Sequence, residues 1–356
     1  MALETYWRAI VRKEKPSLVL LPFLRGMGRF FGWGTKARNI AYEKKIFPQI
    51  AVKKPVISIG NIQLGGVGKT PFVLLLAEQL LTKGKVAVLS RGYRSTIERS
   101  GQVQKVCSGK GPLYSAKVMG DEPYLLAERL PKLAVWVGRD RAYSAQAAAR
   151  EGVDWILLDD GMQHRRVKRD IEIVVLDGED LLGGGYFFPG GLLRDDPTRL
   201  KEADWIVVNP VQDGAHFEEI EKKLRPWSSA PVIGVRMHLE PTLSGKKVAL
   251  FCGIGKPEQF VAAVKEMGVE VVVSHFAPDH RKIGLKKLKK FAQTASLLGA
   301  EMLVCTEKDA VKGSWALPLK IVPLRGNLEI VAGRENWKAL LEKLDVLKRR
   351  EHESRS

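Results

Sequence analysis

The stretch 55–81, PVISIGNIQLGGVGKTPFVLLLAEQLL, constrains this chain more than any other. A β-branched run at 56–59 reads as a buried strand. Gly65, Gly66 and Gly68 follow, then Lys69 and Thr70, and 72–81 reads as a helix broken only by polar Glu78 and Gln79. Strand, glycine-rich loop and helix in that order make a phosphate cradle. Backbone N–H groups at the helix start point at the anion, and glycine lets the backbone approach closely. Gly65, Gly66, Val67, Gly68, Lys69, Thr70 and Pro71 would surround the phosphates of a nucleotide, with Lys69 reaching the β- and γ-phosphates and the Thr70 hydroxyl holding Mg²⁺. The strict spacing G-x-x-x-x-G-K-T does not fit, because Gln63 stands at its first glycine. The variant K-G-G-x-G-K-T fits except that Leu64 replaces the leading lysine. The alternative is a glycine-rich turn with an incidental lysine.

A chain of 356 residues suggests about two domains, and 45% hydrophobic residues can bury sizeable cores. With 58 Lys and Arg against 40 Asp and Glu, the formal charge is +18. Such a chain calls for a polyanionic partner: phospholipid, nucleic acid or a phosphorylated substrate. Cys107, Cys252 and Cys305 are widely spaced and odd in number, which suits a reducing cytoplasm and gives no metal or disulfide pattern. No signal peptide is evident, and no apolar run approaches the ~20 residues that span a bilayer. Residues 1–46 carry ten basic residues against Glu4, Glu14 and Glu43, a net of +7, around the apolar run 18–24 and Met27, Phe30, Phe31 and Trp33. Arg25 and Arg29 share one helix face. A basic amphipathic helix of this kind fits an anionic membrane interface, where each basic residue adds on the order of 1 kcal/mol. The alternative is an N-terminal helix pair packed on the protein's own core.

Beyond the loop, strand-like runs at 86–89, 134–137, 155–158, 171–176 and 205–208 alternate with helical patterns near 123–129, 142–150 and 217–224. This predicts an α/β fold with a doubly wound, mostly parallel sheet and ligands at the C-terminal ends of its strands. A second α/β block is expected over 231–323, with strands at 248–252, 269–274, 302–305 and 321–322 and helices near 258–267 and 285–298. Residues 336–347 read as a final helix, and 348–356 as a polar, frayed end.

Several clusters can carry chemistry. Gly120-Asp121-Glu122-Pro123 places two carboxylates before a helix, as a metal ligand or base, or as a simple N-terminal cap. Four apolar residues ending in Asp159 and Asp160 resemble the acidic strand that sits near Mg²⁺, although turn chemistry would also place acids there. Gln163 and His164 follow. In Pro278-Asp279-His280 the acid would fix the histidine tautomer, but a lone histidine beside an aspartate is more often structural. The basic run 281–290 is either a solvated helix face or a second contact with an anionic surface. Thr306-Glu307-Lys308-Asp309 is similar to a guanine-reading motif with its lysine one place late, and guanine specificity is not read from it.

Taken in order, GNIQLGGVGKTP (60–71), SRGY (90–93), GDEP (120–123), DDGMQHR (159–165), PGGLLRD (189–195), GIGKPEQF (253–260), PDH (278–280) and TEKDAVK (306–312) resemble the tetraacyldisaccharide 4′-kinases of lipid A biosynthesis. The resemblance runs from the basic N-terminus to about residue 325. It implies transfer of the ATP γ-phosphoryl group to the 4′-hydroxyl of a tetraacyldisaccharide 1-phosphate, forming lipid IVA at the cytoplasmic face of the inner membrane. It also implies a division into a membrane-associating segment (1–46), a P-loop kinase domain (47–228), a smaller α/β lid domain (229–325) joined by a two-stranded linker, and a C-terminal helix and tail (326–356). By resemblance Asp121 is the catalytic base and His280 its partner, Lys69 and Thr70 serve phosphate and Mg²⁺, and Glu122 is a metal-site carboxylate. Asp159 and Asp160 are the pair that organises Mg²⁺ and the loop lysine. Met162 replaces the family's usual Phe, and Arg281 stands where many members carry His or Tyr. Nucleic acid is not an expected partner, and oligomerisation is not required. The rival functions are a membrane-associated P-loop ATPase switch, against which Leu64 speaks, and a nucleic-acid-binding NTPase, which would need a binding signature absent from the sequence.

Overall fold

The structure is a computed structural model and describes residues 7, 11, 19–254, 257–277, 283–311 and 316–353. In chain order its strands are β1 (Val56–Gly60), β2 (Val86–Ser90), β3 (Gln104–Ser108), β4 (Ala134–Val137), β5 (Trp155–Asp159), β6 (Ile171–Asp177), β7 (Trp205–Asn209), β8 (Val232–Glu240), β9 (Lys247–Cys252), β10 (Glu270–Phe276), β11 (Met302–Thr306) and β12 (Ile321–Ala332). The longer helices are α1 (Leu20–Glu43), α2 (Lys69–Leu81), α3 (Asp121–Arg129), α4 (Arg141–Arg150), α5 (Gly214–Leu224), α6 (Pro257–Glu266), α7 (Leu285–Leu297) and α8 (Arg334–Glu353).

Among the described residues, twelve strands form one sheet in the order β10-β9-β11-β12-β8-β7-β6-β1-β5-β2-β4-β3. Strands β1, β2, β5 and β6 are buried along their whole length, which is why their sequences are continuous Val, Ile and Leu runs rather than alternating ones. Two strands carry no such signature. The polar β3 lies antiparallel at the edge beside β4. β8 pairs in parallel with β7 through Val232, Ile233 and Gly234, then antiparallel with β12 up to the Arg325–Glu240 pair. The second block therefore does not form a separate sheet. Its parallel strands β9, β10 and β11 continue the first sheet through the β8–β12 ribbon.

The core beneath the phosphate loop joins Ile57, Phe72, Leu76, Leu80 and Trp155 to Leu340 and Leu344 of α8. Trp337 packs edge-on against Phe72, with ring centroids 6.1 Å apart, and the Trp155 indole N–H donates to the Leu344 carbonyl at 3.1 Å. The helix continues to Glu353, so the expected frayed end is corrected over 348–353. Lys348 donates to the Lys83 carbonyl at 2.8 Å and pairs with Asp154 at 3.5 Å, and Glu351 pairs with Lys54 at 3.0 Å. A polar composition hid partners far away in the sequence.

One face of α1 buries Gly28, Gly32, Thr35 and Asn39 against the loop after β6. Glycine is required for that approach: a Cβ at Gly28 would stand 2.4 Å from the Phe187 carbonyl oxygen. The other face leaves Phe23, Phe30 and Trp33 between 64% and 69% exposed. No described helix is long and apolar enough to cross a membrane.

Candidate active site

Strands β1, β5 and β2 are parallel neighbours, so their C-terminal ends bring Asn61, Asp159, Asp160 and Ser90 to one edge of the sheet. The glycine loop lies over that edge. Gly68 caps α2 with φ +92°, and a Cβ there would lie 2.6 Å from the Asn209 amide nitrogen, which itself donates to the Val67 carbonyl at 3.3 Å. Only glycine fits such a left-handed cap against a packed side chain. At Gly65 and Gly66 no atom lies within 4 Å of where a Cβ would stand, so the loop's outer face is open for a ligand.

Lys69 begins α2, and its ammonium donates to Asn61 Oδ1 at 3.2 Å and pairs with Asp160 at 3.5 Å. Burial holds this lysine below its ordinary range against the opposing pull of Asp160, and the nearby Arg194 guanidinium lowers it further. Asp160 has φ +55°, a left-handed conformation that is uncommon outside glycine and concentrates at functional sites. Arg194 grips it with both terminal nitrogens, one of them at 3.0 Å, while the Arg194 Nε donates to the Asn61 carbonyl at 3.3 Å.

The adjacent acids are driven apart. Burial would raise Asp160, but Lys69 and Arg194 outweigh it and hold that carboxyl well below its ordinary range. Asp159 is pushed up to about 7 by burial, then by Glu122 and Asp160. It accepts a hydrogen bond from the Ser90 hydroxyl at 3.1 Å. The buried Arg141 holds the turn by donating to the carbonyls of Asp159 (2.9 Å) and Leu89 (3.1 Å). Neighbouring carboxyls with opposite shifts are a recurrent mark of acid–base and metal chemistry. His164 is pushed down to about 3, first by burial and then by Arg141, so its imidazole is neutral. The Gln163 amide donates to the Asn61 carbonyl at 3.0 Å and to Asp195 at 3.3 Å.

Asp121 and Glu122 occupy the first turn of α3, and the capping residue is Gly120, which offers no side-chain cap. Neither acid is therefore the capping residue itself, although both sit in the first turn, where carboxylates favour a helix start. Lys308 reaches Glu122 at 3.3 Å from beyond β11. In the same motif Glu307 pairs with Arg129 at 3.3 Å, and Asp309 accepts from the Thr306 hydroxyl at 2.7 Å and the Gly253 amide at 2.9 Å. The TEKD motif thus ties the two parts of the sheet together. His280, Asp279 and Arg281 lie outside the described residues. Asn61, Arg141, Arg194 and Lys308 were not singled out from sequence as site residues; three of them stand inside quoted motifs, whereas Arg141 carries no local signal.

The donor set can be tested against a nucleotide and its metal. Asn61 Nδ2 and Gln163 Oε1 are buried and have no hydrogen-bond partner among the described residues, two polar atoms left over beside a cationic cradle. Among the described residues no three acidic, cysteine or imidazole side chains converge into a metal cage. Mg²⁺ is commonly bound by one or two carboxylates together with substrate phosphates, and Asp160 stands at the phosphate loop 3.5 Å from Lys69.

Comparison with known proteins gives the same answer at each level. The family model described as tetraacyldisaccharide-1-P 4′-kinase matches residues 20–345. A tetraacyldisaccharide 4′-kinase of Chlamydia abortus is 38% identical over 347 residues, covering 90% of this chain and 92% of that protein. One from Syntrophus aciditrophicus is 36% identical, covering 85% and 86%. The fold matches the crystal structure of LpxK from Aquifex aeolicus in complex with ATP, with a TM-score of 0.70, 25% identity, and 92% of this chain and 99% of that one covered.

Proposed function

Since the chain belongs to the tetraacyldisaccharide 4′-kinase family, we propose a role in catalysis for each residue of the site just described. The protein is an ATP-dependent kinase of lipid A biosynthesis, transferring the γ-phosphoryl group to the 4′-hydroxyl of a tetraacyldisaccharide 1-phosphate to give lipid IVA. The observation that carries the assignment of roles is the Lys69–Asp160–Arg194 cluster at the open glycine loop, beside the acids that begin α3.

Phosphoryl transfer depends on positioning and charge neutralisation. In this reading the loop from Gly65 to Pro71 wraps the phosphates, and Lys69 neutralises the β- and γ-phosphates. Thr70, Glu122 and Asp160 would hold Mg²⁺, which when bound spreads the phosphate charge. Asp159 orders its neighbour Asp160 and shares the buried charge of the pair. Asp121 takes the proton of the sugar hydroxyl, a weak nucleophile for which a positioned base contributes about 10²–10⁴-fold. From the resemblance we place His280 as its partner, brought in when the part of the chain at 229–325 closes on the loop.

The assay supplies ATP, Mg²⁺ and tetraacyldisaccharide 1-phosphate in detergent and follows formation of the 1,4′-bisphosphate by mass spectrometry. Asp121→Ala is expected to lower kcat far more than ATP affinity, and a variant with normal kcat removes Asp121 from the base role. The Asp121–His280 separation in a nucleotide-bound crystal structure tests the pairing; a gap too wide for one bridging water ends it.

The outer face of α1 is proposed to rest on the anionic cytoplasmic leaflet. Phe23, Phe30 and Trp33 would enter the interface, and exposed Arg29 and Lys36 would meet the headgroups. The double variant F30S/W33S should lose co-sedimentation with phosphatidylglycerol vesicles; retained binding contradicts the placement.

A further inference from the structure

The buried face of α1 holds a hydrogen-bond network that neither lipid contact nor packing requires. Gly28, Gly32, Thr35 and Asn39 recur at spacings of four, three and four, a single helix face turned inward. The first three are small residues or glycines that allow close approach. Asn39 is different. Its amide is polar, 4% exposed, and in a helix interior where asparagine is a poor helix former. It donates to Asp195 Oδ1 at 2.8 Å.

Asp195 has no exposure at all, and a buried carboxylate must be met by donors. Its donors are Asn39, the Arg38 guanidinium at 3.4 Å, the Gln163 amide at 3.3 Å and the Asp196 backbone N–H at 3.0 Å. Two of these come from α1. The same Gln163 nitrogen donates to the Asn61 carbonyl at 3.0 Å, and Asn61 Oδ1 receives the Lys69 ammonium at 3.2 Å. Arg194, adjacent to Asp195 in the chain, grips Asp160 and Asn61 from the other side. A continuous path of short polar contacts therefore runs from α1 to the lysine that meets the phosphates.

We propose that α1 is a strut of the active site as well as a surface element, and that Asn39 is a positioning residue which fixes Asp195, and through Gln163 and Asn61 the Lys69 ammonium, for phosphoryl transfer. This rests on the kinase reading above. Removing the direct partner of a metal ligand typically costs about 10–100-fold in activity; Asn39 acts on Lys69 through Asp195, Gln163 and Asn61, so a loss at the low end, about 10-fold, is expected. The displaced lysine would neutralise transition-state charge less well than it holds ground-state phosphate, so the loss should fall on kcat.

The test compares wild type, Asn39→Leu, Asn39→Ser and Asn39→Asp, together with the exchanged pair N39D/D195N. Kinetics are measured in mixed micelles, with vesicle co-sedimentation and thermal unfolding in parallel. The expected result is a kcat about 10-fold lower for Asn39→Leu, with the KM for ATP nearly unchanged and vesicle binding at the wild-type level. Asn39→Asp should be worse, because two carboxylates would meet in a buried site. The exchanged pair restores one donor–acceptor contact and should recover part of the loss. Should Asn39→Leu not fold, Asn39→Ser keeps a donor and must show an intermediate kcat. A folded Asn39→Leu with wild-type kcat overturns the proposal, as does a kcat loss matched by an equal loss of vesicle binding. If the wild-type control itself makes no bisphosphate, the kinase reading fails instead.

Discussion

Replacing Gly68 with alanine tests the architecture of the loop and can be worked through in numbers. At φ +92° an alanine meets a left-handed penalty of about 1–2 kcal/mol. Its Cβ would stand 2.6 Å from the Asn209 amide nitrogen, so that side chain must move and lose its 3.3 Å bond to the Val67 carbonyl, about 1 kcal/mol more. Together these come to about 2–3 kcal/mol that nucleotide binding must restore, or a Kd for ATP raised roughly 30- to 150-fold. Titration calorimetry with a non-hydrolysable ATP analogue measures it. Asn209→Ala alone removes only the hydrogen bond and should weaken binding about fivefold. In G68A/N209A the bond cannot be lost twice, so the double variant should bind like Gly68→Ala, giving a coupling of about 1 kcal/mol. Strict additivity, or wild-type affinity in Gly68→Ala, would refute the reasoning.

Other expectations are as direct. Asp159 has a native pKa of about 7 against an unfolded value of about 3.9, so the native state holds the extra proton between them. Stability of the nucleotide-free enzyme should therefore fall as pH rises through that window, and Asp159→Asn should flatten the slope in urea unfolding at pH 5 and pH 8. Glu351→Ala strands the Lys54 ammonium, whose side chain is only 2% exposed, and should cost about 3–5 kcal/mol by urea unfolding; K54M/E351L should cost much less. Arg129 donates to Glu307 at 3.3 Å, to the Gly326 carbonyl at 2.9 Å and to Asn327. Its replacement by alanine should speed amide exchange at 303–311 while leaving exchange in β1 and β5 unchanged.

The apolar runs made the centre of the fold legible. The limits of β1, β2, β4, β5, β6 and β7 read from sequence lie within one residue of those observed; β1, β2, β5 and β6, buried on both faces, advertise themselves as apolar runs rich in Val, Ile and Leu, and β4 and β7 keep apolar runs although part of each is only half-buried. β3 and β8 escaped for the opposite reason. β3 is an edge strand whose first residues are only half-buried, and the far end of β8 alternates inward and outward in a ribbon whose pairing partner lies far along the chain. Only 321–322 of the twelve-residue β12 is legible in the sequence, since its pairing passes from β11 to β8 beyond Leu324, where most residues are exposed or half-buried.

The site divides in the same way. Lys69, Thr70, Asp121, Glu122, Asp159 and Asp160 stood out because their chemistry depends on immediate neighbours in sequence. Asn61 after β1, Arg141 at the start of α4 and Arg194 in the loop after β6 work through contacts with distant segments, Arg141 with β2 and β5 and Arg194 with Asn61 and Asp160, and nothing local marks a guanidinium as the one that will grip Asp160. Asn39 is the extreme case, with nothing in its neighbours along α1 to mark it until Asp195 arrives beside it.

The helix from Arg334 to Glu353 supplies Leu340 and Leu344 to the bed on which α2 rests. Synthesis therefore cannot finish the nucleotide-binding half first, even though that half is encoded first. Phe72 and Trp155 stay incompletely covered until Trp337 and Leu344 have left the ribosome. A message truncated before those turns should yield a product that keeps the phosphate loop and its acids but has no floor beneath them, open to proteolysis.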